Sequence, residues 1–157
     1  MKSKTLVLIV DVILVILSMV MIFAFSATDG EKSEAASKEA AREVISVVSH
    51  KDTEATEKFI DNHLVIIRKL AHLIEYAILG FLLTNLVKDW NGGLNYKLIL
   101  LCIGFACIYA GLDEIHQLLI NGRNGNLFDV FVDTVGATVG AFIYYAIYKI
   151  MIKKKTA

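Results

Sequence analysis

Three groups of residues in this chain have the types and spacings that do chemistry. Arg68, Lys69, His72, Glu75 and Tyr76 form the first. Positions 68, 72, 75 and 76 stand at i, i+4, i+7 and i+8, so a helix would carry them on one face. Asp113, Glu114, His116 and Gln117 form the second, and 113, 116 and 117 again share a face. The third is Arg123 in a glycine-bearing stretch, followed by Asp129 and Asp133 one helical turn apart. Arg and Lys suit a phosphate or carboxylate, and Arg can grip either with two parallel bonds. A histidine beside a carboxylate is suited to proton transfer, which makes His72, Glu75, Asp113 and His116 the candidates for catalysis. Facing helices that each offer a carboxylate and a histidine could also build a metal site, although HxxE and DxxH spacings are common by chance. No metal and no cofactor is assigned from the sequence.

The elements that must position these residues are apolar. The chain has 157 residues, 56% of them hydrophobic, with no proline and a mean hydropathy of +0.60. That excludes disorder and fits a membrane protein. Its 16 basic and 16 acidic residues cancel, so no general affinity for nucleic acid is expected. A bilayer core of about 30 Å takes about 20 apolar residues as helix. Four stretches qualify, at about 6–25, 64–87, 98–119 and 128–151. The first could serve as a signal peptide, with Ala24-Phe25-Ser26 as a cleavage site, but it is long for that role. With four spans, Lys2, Lys4, Lys88, Lys97, Lys149, Lys153, Lys154 and Lys155 crowd onto one side. That side is expected to be cytoplasmic, with both termini on it.

Between the first two spans, Ala36, Ala40, Val44 and Val47 follow a helical stripe, and Ser33 or Ser37 could cap its start. Ser49–Asp52 interrupts the pattern, and from Thr53 a helix would run into span two. The outer segment, about 33–63, is thus expected to be an amphipathic helical element.

All three chemical groups then fall at one depth, in the outer half of the bilayer. A charge there costs roughly 2.5–3.5 kcal/mol on insertion scales, so the acids need partners. Arg68, Lys69 and Arg123 are the cations at that level, and Asp113, Asp129 and Asp133 are expected to hold them. Such a network could serve only to fix helix packing, or could form a binding site. Gly136 and Gly140 continue the Asp129–Asp133 stripe and allow close packing, either within the chain or in a homodimer. Asp11 in span one would pair with Lys4 or act as a proton-linked acid. Cys102 and Cys107 stand on different faces and read as free thiols. Trp90, Tyr144, Tyr145 and Tyr148 read as interfacial anchors, and His50 and His63 as surface residues.

Taken together, Arg68-Lys69-x-Ala71-His72-x-x-Glu75-Tyr76-x-x-Leu79-Gly80, Asp113-Glu114-x-His116-Gln117, Gly122-Arg123 and Asp129-x-x-x-Asp133-x-x-Gly136 resemble the VanZ-like family. Phe25-Ser26-Ala27, with Ser33 and Ser37, resembles that family's segment after the first span. The resemblance covers about residues 20–145. The family usually has Pro before the Gly-Arg, where this chain has Asn121, and many members carry Trp in span one, where this chain has Asp11. The founding member is linked to low-level resistance to the glycopeptide teicoplanin in Gram-positive bacteria.

The expectation is therefore an all-α membrane protein, a single VanZ-like domain over 1–157, in the cell membrane. Four transmembrane helices carry it, with an amphipathic helical extracellular segment between the first and second. Its outer polar site is expected to use Arg68, Lys69, His72, Glu75, Tyr76, Asp113, Glu114, Gln117, Arg123, Asp129 and Asp133. The ligand would be a membrane lipid, a lipid-linked wall precursor or a glycopeptide. An intramembrane enzyme acting on a lipid or lipid-phosphate is the alternative, and a transporter or flippase component the third.

Overall fold

A computed structural model describes residues 2–28, 30–48, 53–122 and 125–156. Five helices follow in order: α1 (Lys2–Ser26), α2 (Gly30–Val48), α3 (Thr53–Asn91), α4 (Tyr96–Gln117) and α5 (Leu127–Thr156). Four of them, α1, α3, α4 and α5, are long and apolar enough to cross a membrane. The multi-pass, all-helical architecture expected from the sequence is therefore present. Arg123, His50 and the interruption at Ser49–Asp52 lie outside the described residues.

The spans bury their polar and small residues together with a few large apolar ones, and leave most of their large apolar residues exposed, as helices solvated by lipid do. On α1 the buried positions are Asp11, Val15, Ile22 and Ser26, while Ile9, Ile13, Ile16, Leu17 and Val20 are exposed. On α4 they are Ile99, Cys102, Ala106, Ala110, Asp113, Glu114 and Gln117. The turn into α4 is capped by Asn95, whose side-chain oxygen accepts from Lys97 N and Leu98 N at 3.0 and 3.1 Å. Gly92, at φ 70, gives the preceding turn the left-handed residue that ends α3.

The closest packing is between α3 and α5, which run parallel. A Cβ added at Gly136 would lie 2.3 Å from Leu73 O, one at Gly140 1.8 Å from Ala77 O, and one at Gly80 2.1 Å from Ala137 O. The glycine stripe is thus occupied within the chain, where its small size lets two backbones touch. It is not a free surface for a second copy.

Helix α2 lies along the first turns of α3. Lys38 pairs with Asp61 at 2.8 Å and with Glu34 at 3.1 Å, and Arg42 Nη2 reaches Glu57 at 2.6 Å. The bond to Asp61, then that to Glu34, pushes Lys38 above the usual lysine range. Ser33 and Ser37 lie inside α2 and do not cap its start; Ser37 Oγ donates to Ser33 O at 2.8 Å. Ala36, Ala40 and Val44 are all exposed, so the expected stripe faces outward, and the more buried face of α2 is carried by Ser33, Ser37, Ala41 and Ile45. The side chain of Val47 lies outside the described residues.

The end of the bundle near the chain termini holds a second polar cluster. Asn85 Nδ2 donates to Asp11 Oδ1 at 2.7 Å, and Tyr144 OH donates to Asn85 Oδ1 at 2.7 Å. Asp11 therefore takes Asn85, not Lys4, as its partner. Tyr144 is buried and meets Phe81 edge-on at 5.0 Å, so it is not an interfacial anchor. Cys102 and Cys107 are free, as expected.

Candidate functional site

At the opposite end, where α1 and α4 finish and α5 begins, the polar residues separate into a lock and a cavity. The lock joins α1 to α4. Ser26, fully buried, donates to Asp113 Oδ2 at 2.7 Å, and Gln117 Nε2 donates to the same oxygen at 2.9 Å. Two donors on one carboxylate oxygen make Asp113 a structural tie between helices. Among the described residues it holds no cation. Ser26 was not anticipated as part of the site. Its signal was its place in Phe25-Ser26-Ala27, at the end of a span.

The cavity lies between α3, α4 and α5 and measures about 120 Å³. Arg68, Lys69 and His72 line it from α3, Glu114 and Gln117 from α4, and Asp129 and Asp133 from α5. Val65 and Val132, apolar positions without a sequence signal, complete the wall. Lys69 pairs with Asp129 across α3 and α5. Phe128 stacks beneath the same ammonium, 4.9 Å from ring centre to nitrogen, which adds a cation–π contact. Glu114 Oε2 accepts the backbone N–H of Asn126 at 2.7 Å, tying the α4–α5 loop to the cavity. Gly125 has to be small there, because a Cβ would lie 2.6 Å from Glu114 O.

Two charged groups in the cavity stand apart from these pairs. Arg68 is half-buried, and among the described residues its side chain makes no ion pair or hydrogen bond. Asp133 is 1% exposed, and among the described residues neither of its carboxyl oxygens has a hydrogen-bond partner. Arg123, the third expected cation, lies outside the described residues; among them the expected neutralisation pairs Asp129 with Lys69 and not with Arg68. The reason is register. The α3–α5 contact sets Lys69, not Arg68, opposite the acidic start of α5.

A second depression, about 240 Å³, lies between α1, α2 and α3. Phe25, Ala36, Ala40, Ile67 and Ala71 give it an apolar lining, and Ser33, Ser37 and Glu75 stand in its wall. Arg68 and His72 line both spaces, so α3 is the partition between them.

The four catalytic candidates do not converge. His72 Nδ1 lies 3.7 Å from Glu75 Oε2, as the spacing suggested. Asp113 is turned to Ser26, and His116 stacks on Phe23 with ring centres 4.3 Å apart. Among the described residues no three His, Cys, Asp or Glu side chains gather where a metal could be held. Tyr76 is fully buried beneath the site and lines neither space.

A family model described as VanZ/LLP1 matches residues 11–149. The chain belongs to the VanZ/LLP1 family. The match begins at Asp11 in α1 and runs through α5 to Lys149, so both polar clusters lie within it. Comparison with curated proteins and with solved structures found no match. In this VanZ/LLP1 protein, the charged cavity, the apolar groove and the partition they share all lie within the matched residues.

Proposed function

We propose that this VanZ/LLP1 protein acts in the cell envelope, where its polar cavity binds the charged head of an amphiphile. Arg68 carries the reading. It is a guanidinium held at the level of a bilayer's outer half, with no partner among the described residues, and it lines both a polar cavity and an apolar groove. A guanidinium in such surroundings is suited to a phosphate or carboxylate. The adjoining groove suits an acyl chain, which favours a lipid, a lipid-linked wall precursor or an acylated glycopeptide over a plain anion. Termini on the cytoplasmic side would open both spaces to the outer leaflet.

The test is drug susceptibility of a Gram-positive host that expresses wild type, Arg68→Ala or Arg123→Ala at matched membrane levels. Wild type is expected to raise tolerance to teicoplanin more than to vancomycin, and Arg68→Ala to lose that gain. Wild-type cells as sensitive as the empty-vector control would overturn the resistance role.

A further inference from the structure

Among the described residues, the cavity wall holds one base, Arg68, and one acid, Asp133, without a partner. We infer that the head group it takes is zwitterionic, with an ammonium received by Asp133 and a phosphate or carboxylate received by Arg68. The inference rests on the amphiphile reading above and names the class of head group.

Three observations carry it. First, the other acids and the lysine in the cavity wall already have partners. Lys69 is committed to Asp129, and Glu114 to the Asn126 N–H. A purely anionic ligand would satisfy Arg68 and leave Asp133 buried against it without a partner. Such a carboxylate is costly, and its cost is relieved by a cation that also donates hydrogen bonds. Second, a lone carboxyl suits an ammonium better than a metal ion. Hard cations take several oxygen ligands, and no three candidate ligands gather among the described residues. A primary ammonium brings its own three donors and needs only one carboxylate with a few acceptors. Third, the space is small. Cavities on the order of 150 Å³ admit a benzene-sized molecule. A volume of about 120 Å³ therefore admits a phosphate joined to a short amine, not a glycopeptide core.

The test uses the full chain, purified in uncharged detergent, with lipids titrated and bound states counted by native mass spectrometry. Phosphatidylethanolamine carries both charges. Its N-acetyl derivative keeps the phosphate and chains but loses the ammonium. Wild type should bind phosphatidylethanolamine about tenfold more tightly, the scale of one charge-assisted contact. In Asp133→Asn the two affinities should come within about twofold of each other. In Arg68→Gln both should weaken. Equal affinities in wild type would overturn the zwitterion inference and, if Arg68→Gln still weakens both, leave the amphiphile reading standing. That comparison needs no variant, so it survives if Asp133→Asn does not fold. Full affinity for both lipids in Arg68→Gln would instead overturn the reading of the site itself. Soluble phosphoethanolamine supplies the same head without chains. It should not displace the lipid at equal concentration, and displacement there would assign the site to a free small molecule.

Discussion

Ser26 and Asp113, separated by 87 residues, share a 2.7 Å hydrogen bond at the buried end of the bundle. The bond fastens the last turn of α1 to the last turn of α4 and gives a fully buried hydroxyl an acidic acceptor. Asp113 stands outside the cavity wall, where Asp133 is the acid without a hydrogen-bond partner among the described residues.

Removing the hydroxyl tests that tie. Ser26→Ala leaves Gln117 as the remaining donor to Asp113 Oδ2. A buried acceptor that loses a donor costs about 1–3 kcal/mol. The loss should appear as a lower unfolding midpoint in detergent. Asp113→Asn made on top of Ser26→Ala should cost less than the two single losses summed, because the residues share one bond. Strict additivity would mean that the pair is not coupled.

Helix contact between α3 and α5 makes a sharper prediction. Gly140→Ala would set a methyl group 1.8 Å from Ala77 O, in backbone that cannot step aside. Overpacking of this kind costs about 1–3 kcal/mol. The matched control is Gly104→Ala on α4, where an added Cβ meets nothing within 4 Å. That change should leave the midpoint unchanged or raise it slightly. Equal effects of the two substitutions would argue against the close α3–α5 crossing.

At the end of the bundle near the termini, Asn85 is the bridge between Asp11 and Tyr144. Tyr144→Phe removes one bond and should cost about 0.5–1.5 kcal/mol. Asn85→Leu strips the buried Asp11 carboxylate of its donor and should cost more, since the penalty for an unmade bond to a charged group exceeds that for a neutral one. Unfolding midpoints in the order wild type, Tyr144→Phe, Asn85→Leu are expected. The reverse order for the variants would remove Asp11 from the network.

Much of this was legible in the sequence, because the physics involved is local. A run of about 20 apolar residues specifies a span whatever it packs against. The spans were therefore readable within a few residues of α1, α4 and α5, while the apolar part of α3 was found and its polar start at Thr53 was read as a separate helical run into it. Spacing alone put Arg68 and His72 on one face of α3, and both line the same two spaces. The ordered blocks from Arg68 to Gly136 pointed to the family that matches the chain.

Tertiary structure decided the partnerships. Helical periodicity says which residues share a face, but not how far a helix is rotated or slid against its neighbour. Those two quantities are set by the glycine contacts between α3 and α5, where Gly136 meets Leu73 and Gly140 meets Ala77. Their register gave Asp129 to Lys69 and left Arg68 and Asp133 without partners among the described residues. Rotation of α4 sent His116 to Phe23 and Asp113 to Ser26, which separated residues that spacing alone grouped together. Tyr144 likewise turned inward to Asn85, where its hydroxyl found a buried acceptor, and not outward to the interface. Composition and spacing set which charged groups enter the membrane; close backbone packing, acting between segments far apart in the chain, decided which of them remain available to bind.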